Sequence, residues 1–382
     1  MKILFIASDN NATSGAFLSM VALNQILHNN LSVDTFVVLP REGTGQALLD
    51  EVGIPWTTVK SYDWVVPMEQ SSGLKYSLKK SVKQMLNIRA VSQLRKVVKN
   101  YKPDIVHINT TYAYVGAIAA LRENSPFVWH LREFVEEDQG RTLWDRSKGD
   151  ELIAQANKVI AISTSVYKKY ENIIPKEKLC VILNGIDTNR FYRPEKKIYQ
   201  NEKFILVYGG GYARRKGIYE FASALKLLVD MGITDFEVQF IGEPNEKYKQ
   251  HLTKIGLDPY IKYLGYQKNV TQWYEKADMA FSCSKAEAFG RKTVEAMLAG
   301  TLMIAANTAG TLDIIFDKKT GLLYQQGDPI DLAFKILYAM KNKEECQAIA
   351  KNGREFAYNN LSALKNAEEI KKVYDEILTL RK

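Results

Sequence analysis

The chain has 382 residues, 46% hydrophobic and 25% charged, with a formal net charge of +9. These are ordinary globular values for a chain of about two domains, and they exclude a disordered polymer. Cys180, Cys283 and Cys346 lie scattered in or beside apolar segments, so no disulfide framework or zinc site is expected, and a reducing cytosol fits the pattern.

The first apolar run, Ile3-Leu4-Phe5-Ile6-Ala7, stops at Ser8-Asp9-Asn10. It is too short for an export signal, and no run of about 18 apolar residues follows that could span a membrane. Short apolar stretches at 3–7, 33–39, 56–59, 104–109, 127–131, 159–163 and 179–183 lack alternation, as parallel strands buried on both faces do. Helical patterns fall between them, for example at 17–28 and 114–121, which predicts a doubly wound α/β sheet.

Residues 70–103 carry nine basic side chains (Lys75, Lys79, Lys80, Lys83, Arg89, Arg95, Lys96, Lys99, Lys102) and no acidic one, matching the whole net charge of +9. Leu74, Leu78, Val82, Met85, Ile88, Leu94, Val98 and Tyr101 recur at three- and four-residue spacing with one longer gap. The segment reads as an amphipathic helix, broken at most once. Its basic face fits either solvent over an ordinary core stripe or an anionic cytoplasmic leaflet; nucleic acid fits less well, since no recognition motif accompanies the charge.

A charged stretch around 187–202 reads as a linker, and the alternation restarts with strands at 204–208, 236–241, 261–264, 279–282, 302–305 and 322–324. The last predicted element is a helix at 363–381, where Glu368 and Lys372 form an i,i+4 pair. Two such α/β domains facing one another would bind ligands at the carboxyl ends of their sheets, in the cleft between them.

Two segments of the second half carry chemistry. Glu287 and Glu295 bracket Ala288-Phe289-Gly290-Arg291-Lys292-Thr293-Val294, a strand-to-helix loop followed by a helix start. The start offers unpaired N–H groups and a positive dipole end suited to a diphosphate, while the carboxylates can accept from sugar or ribose hydroxyls. A solvated helix with surface glutamates fits these residues about as well. Tyr208-Gly209-Gly210-Gly211-Tyr212-Ala213-Arg214-Arg215-Lys216-Gly217 follows the first strand of the second domain. Its glycines permit close approach of phosphate, and its cations supply charge, although a basic surface turn has the same composition. It lacks both the Walker Lys-Ser ending and GxGxxG spacing, which disfavours an ATPase or a dehydrogenase.

Taken together with Val181-Ile182-Leu183-Asn184-Gly185-Ile186-Asp187 and Arg190-Phe191, these segments resemble the retaining glycosyltransferases of family 4, of bacterial capsule and exopolysaccharide type, over essentially the whole chain. The resemblance implies a GT-B fold of two Rossmann-like domains. They would comprise an acceptor-binding domain at 1–187, a linker at 188–202 and a nucleotide-sugar domain at 203–362, with the helix at 363–382 packing back on the first. It implies a metal-independent hexosyltransferase with a nucleotide-sugar co-substrate, most often UDP-linked in the family, and a glycan acceptor on a lipid diphosphate at the inner face of the plasma membrane. No Asp-x-Asp occurs in the chain.

By the same resemblance Glu287 lies beside the donor sugar, and Ala288, Phe289, Gly290, Arg291 and Thr293 hold sugar hydroxyls and phosphate oxygens. Glu295 takes the ribose, and Arg215 and Lys216 neutralise the departing diphosphate. His130, within Trp129-His130-Leu131-Arg132-Glu133, reaches the transferring sugar or the acceptor; without the resemblance a histidine there would more often be structural. The base would lie near Gly265, Tyr266 and Gln267. Two positions depart from the pattern. Gly211 and Gly210 stand where many relatives have an arginine, so either Arg214 or Arg215 takes over that role or the phosphate grip is lighter; Ser14-Gly15 stands where the family often has a double glycine, and the Gly15 N–H could still meet the diphosphate. Front-face attack, with the leaving phosphate receiving the acceptor proton, is favoured over Glu287 as a nucleophile. A nucleotide-sugar 2-epimerase of similar architecture and a non-catalytic transferase partner are the alternatives. Oligomeric state is not legible.

Overall fold

The computed structural model describes residues 1–70 and 73–380, without the side chains of Leu74 and Lys75, so the expected stripe and basic positions there, and the helix end at 381–382, lie outside the described residues. The chain divides into two compact units, one of Met1–Gly185 with Ala363–Lys382 and one of Ile186–Ser362.

In the first unit the strands are β1 (Lys2–Ile6), β2 (Asp34–Leu39), β3 (Trp56–Thr58), β4 (Val65–Pro67), β5 (Ile105–Asn109), β6 (Phe127–Leu131), β7 (Arg141–Leu143), β8 (Lys158–Ala161) and β9 (Leu179–Val181). Seven of them form a sheet in the order β3-β2-β1-β5-β6-β8-β9, parallel throughout. Every residue of β5 and β6 is buried, which explains why these strands read as unbroken apolar runs with a histidine inside each. β4 and β7 pair separately as a short antiparallel ribbon that the sequence pattern does not announce. The helix Ala363–Thr379 packs on the helix Gly15–Leu31, and Ala367, Ile370 and Tyr374 are wholly buried in the core of this unit.

The helix Leu74–Tyr101 corrects the single-stripe expectation. Leu78, Val82, Met85 and Ile88 are exposed, Leu78 by 69% and Ile88 by 67%, whereas Ala90, Val91, Leu94 and Val98 are buried. At about 100° per residue the six-residue gap from Ile88 to Leu94 rotates the apolar row by more than a quarter turn. The first half of the stripe therefore faces solvent and the second half the core. Three of the basic residues are also partnered: Lys83 with Asp63 at 3.0 Å, and Arg95 and Lys99 with Glu123.

The second unit holds β10 (Phe204–Tyr208), β11 (Phe236–Phe240), β12 (Ile261–Tyr263), β13 (Met279–Ser282), β14 (Leu302–Ala306) and β15 (Leu322–Tyr324), parallel in the order β12-β11-β10-β13-β14-β15. The stretch expected as a linker is packed within this unit. Thr188–Phe191 forms a short helix, Phe191 and Ile198 are buried, and Arg354 Nη1 donates to the carbonyls of Arg193 at 2.9 Å and Lys196 at 3.2 Å. Lys196 donates to the Ala277 carbonyl at 2.7 Å, and burial lowers its ammonium to about 8.

The face switch is testable by paired truncations followed by denaturant unfolding. Leu94→Ala should destabilise the protein by about 2–5 kcal/mol, as large-to-small core changes do. Leu78→Ala should stay within about 0.5 kcal/mol.

Candidate active site

In the second unit the chain leaves β10 in one direction to build β11 and β12 and returns on the other side to build β13. The loops at the carboxyl ends of β10 and β13 therefore diverge at a switch point, where open parallel sheets form their crevice. Residues 209–217 form one loop and residues 283–290 the other. They lie in backbone contact: Lys285 N donates to the Arg215 carbonyl at 3.0 Å, and a Cβ on Gly217, which has φ +74°, would meet the Cys283 carbonyl oxygen at 1.9 Å. Only glycine fits there. The turn Arg214–Lys216 is further held by Tyr208, whose hydroxyl donates to the Lys216 carbonyl at 2.6 Å.

This scaffold aims Lys216 at Glu287. Lys216 Nζ lies 3.0 Å from Glu287 Oε2, and the Ser284 hydroxyl donates to the same oxygen at 3.0 Å. Both charged side chains remain partly exposed. The Glu287 carbonyl accepts from Gly310 N at 2.8 Å, and Gly310 approaches so closely that a Cβ would fall 2.2 Å from the Ala288 oxygen. Ala288 and Phe289 are buried, Gly290 turns the chain at φ +95°, and the helix Arg291–Leu298 begins.

Glu295, in the second turn, is buried with Arg291 Nη2 at 3.5 Å from its Oε1. Burial raises the Glu295 carboxyl above its ordinary range against the pull of Arg291, Lys292 and Arg190. Thr293 is buried beside Gly290. Lys292, which sequence reasoning passed over, donates to the Gly209 carbonyl and so ties the helix start to the loop after β10; burial lowers its ammonium. Its available signal was the i,i+3 spacing to Glu295. Ser284 was missed as well.

The remaining predicted donor residues of this unit are less tightly joined. Arg215 is exposed, with its carbonyl engaged as above. Arg214 stacks over the Tyr219 ring at 4.9 Å. Gly211 has φ +83°. Tyr266 follows β12, two strands from the switch point, and is 59% exposed, with its N–H donating to Glu243 at 3.3 Å.

The other two predicted residues belong to the first unit. Gly15 opens its helix behind Ser14, whose hydroxyl oxygen caps Phe17 N at 3.4 Å and whose O–H donates to Asp9 at 3.0 Å. His130 is wholly buried. Its Nδ1 lies 3.2 Å from His107 Nε2, and His107 Nδ1 lies 2.7 Å from the Tyr374 hydroxyl. Among the described residues Tyr374 has no other acceptor for its hydrogen, so it donates to His107. His107 then donates to His130, leaving the His130 hydrogen on Nε2, a buried atom with no partner. Burial, then the Arg132 charge, holds both imidazoles well below their usual range and hence neutral. Arg132 is fixed by Asn109 at 2.6 Å and Asn184 at 2.5 Å, and Glu133 accepts from Thr111 N at 2.6 Å.

The two units, each built on a parallel α/β sheet, have the GT-B fold, as their likeness to solved structures bears out. Residues 188–356 match the family described as glycosyl transferases group 1, and residues 71–190 match glycosyltransferase family 4. Together the two matches run over residues 71–356, and the chain is a glycosyltransferase, an enzyme with both of these family domains. It is similar to the capsular polysaccharide biosynthesis glycosyltransferase CapM of Staphylococcus aureus, with 25% identity over 84% of this chain and 87% of that one. It is also similar to the putative glycosyltransferase EpsD of Bacillus subtilis, with 24% identity over 77% and 82%. Among solved structures, HepE of Anabaena in complex with UDP superposes with a TM-score of 0.81 at 22% identity, covering 98% of this chain and all of that one.

Burial of Glu133 raises its carboxyl to about 7. A group whose folded value is raised contributes stability below its unfolded value that is lost as pH rises through the folded one. Glu133→Gln should therefore flatten the fall in melting temperature between about pH 4.5 and 7 relative to the parent. Parallel profiles would mean that the carboxylate is already ionised when buried.

Proposed function

We propose that the enzyme transfers a hexose, with retention and without a metal ion, from a UDP-linked sugar to a hydroxyl of a lipid-linked glycan in surface polysaccharide synthesis. The observation that carries this reading is the Lys216–Glu287–Ser284 group facing the Gly290 helix start. A diphosphate at that start meets first-turn N–H groups and a dipole end, with Lys216 and Arg215 adding positive charge as the leaving group gains negative charge. Glu287 then stands free to orient the sugar once Lys216 turns to phosphate, and Glu295 accepts from ribose. Arginine, lysine and the helix start take the place of a divalent ion. For the first unit, the role assigned to His130 is that of a neutral hydrogen donor on the acceptor side.

HepE has been solved with UDP and with UDP-glucose, and the names of CapM and, among further relatives, a lipopolysaccharide core mannosyltransferase of Rhizobium meliloti tie them to surface glycans. Both support the choice of donor and acceptor class.

Steady-state kinetics with UDP-sugars test the roles. Glu287→Gln and Lys216→Ala should each lower turnover by at least about a hundredfold, the scale of one lost electrostatic stabiliser. Glu295→Ala should raise the donor KM. Near-parent turnover in the Glu287 variant would remove the assignment. Transfer should persist in excess EDTA, and NMR of the first-formed product should show the donor's anomeric configuration.

We also place the enzyme at the inner face of the membrane, peripherally. No helix among the described residues is long and apolar enough to cross a bilayer. The outward row Leu78, Val82, Met85 and Ile88 sits instead on a helix rich in cations, suited to resting on anionic lipid. Co-sedimentation should require anionic vesicles, fall with salt, and weaken in the Leu78→Glu, Met85→Glu double variant. Equal binding to neutral vesicles, or none to either, would overturn it.

A further inference from the structure

The first unit contains a cavity of about 400 Å³ between the β4–β7 ribbon and the start of the helix Leu74–Tyr101. Four cations, Lys79, Lys80, Lys83 and Arg141, line it against one carboxylate, Glu69. Asp63 neutralises Lys83 from outside the lining, and no ion pair holds Lys79, Lys80 or Arg141 among the described residues. The remaining wall is apolar: Val65 and Val66 are buried beneath it, and Trp144 stands at its side with Lys83 5.8 Å from the ring.

Such a cavity has two halves of different chemistry. Unpaired cations in a partly enclosed space attract an oxyanion, and Arg141 brings a guanidinium fork suited to phosphate. Valine and tryptophan walls gain from covering an apolar group. A free phosphate would use only the cations, and an apolar ligand only the walls. Lys79, Lys80 and Lys83 come from one face of the helix at i, i+1 and i+4. The outward row of Leu78, Val82, Met85 and Ile88 occupies the opposite face. With that row on lipid, the cavity lies on the protein side of the helix, one helix diameter of about 10 Å above the surface. A headgroup projecting from the bilayer could reach it.

We propose that this cavity binds the phosphate ester end of a long-chain alcohol, the (di)phosphate of the lipid-linked acceptor with the first part of its apolar chain. The assignment rests on the lipid-linked acceptor reading above and names the part of the acceptor that the first unit grips. It separates two kinds of contact that would otherwise be merged: the outward row meets the bilayer at large, and the cavity selects one lipid from it.

The test is titration of the full chain with farnesyl diphosphate below its micelle concentration, read by tryptophan emission and by calorimetry. A saturable change in emission is expected, absent in Trp144→Phe. In the Lys80→Gln, Arg141→Gln double variant the Kd should rise at least about tenfold, the scale of one lost charge-assisted contact, with an unchanged circular dichroism spectrum. Pyrophosphate should bind more weakly than farnesyl diphosphate. Saturating UDP, and the variants Lys216→Ala and Glu287→Gln, should leave the farnesyl diphosphate Kd unchanged. Because the readout is binding, it is independent of whether any sugar is transferred, so loss of transfer with intact binding would count against the proposed function alone. Three outcomes would overturn the cavity assignment: an unaltered Kd in the double variant, displacement by UDP, or pyrophosphate binding as tightly as farnesyl diphosphate.

Discussion

Backbone contact between two loops is the constraint on which the second unit's chemistry depends. β10 and β13 are neighbours in the sheet, so the segments leaving them begin about one strand spacing, 4.8 Å, apart. Any side chain at position 217 would force them apart, because the Cys283 carbonyl already occupies that space. With glycine there, a cation on one loop and a carboxylate on the other meet at 3.0 Å although 71 residues separate them. Gly310 repeats the device from the far side, pressing the loop after β14 onto the Glu287 and Ala288 carbonyls. Three consecutive strand ends thereby fix one short segment, and preorganisation of this kind lets fixed charges act without rearrangement.

The surroundings of Glu287 in the second unit and of His130 in the first differ in their electrostatics. In the second, charged groups face one another: Lys216 with Glu287, Arg291 with Glu295, and Lys292 on a carbonyl. An anion entering there replaces carboxylate partners that the cations already have. Around His130 in the first, burial keeps both imidazoles uncharged beside Arg132, and a chain of neutral donors runs from Tyr374 through His107 to His130. Such a chain presents one hydrogen in a fixed direction without adding a charge.

Much of the architecture was readable because parallel strands buried on both faces are short, apolar and unbroken, as β1, β6 and β14 are. The β4–β7 ribbon was not, since three-residue strands 74 positions apart carry no period. Spacing along the helix Leu74–Tyr101 showed an apolar row but not that its two halves face different media, a property set by what packs against each half. The charged stretch after Asp187 looked like a linker because its few apolar residues, Phe191 and Ile198, are outnumbered, yet those two are what anchor it. Of the site, Glu287, Lys216 and the helix start were legible as loop chemistry. Lys292 and the His107–Tyr374 link were not, because their partners are 83 and 267 residues away in the chain.

The position of Tyr374 bears on the order in which the molecule can form during synthesis. Residues 186–362 make a continuous unit that is complete once its last strand and helices have been made. The first unit is different: its core includes Ala367, Ile370 and Tyr374, and the end of its histidine chain is the Tyr374 hydroxyl. Chains emerge from the ribosome at roughly 5–20 residues per second, and domains generally fold as units. The half of the protein made first must therefore wait, with an open groove beside the helix Gly15–Leu31, for about 10–40 s at that speed while the half made second is translated. Until then its apolar groove is available to chaperones.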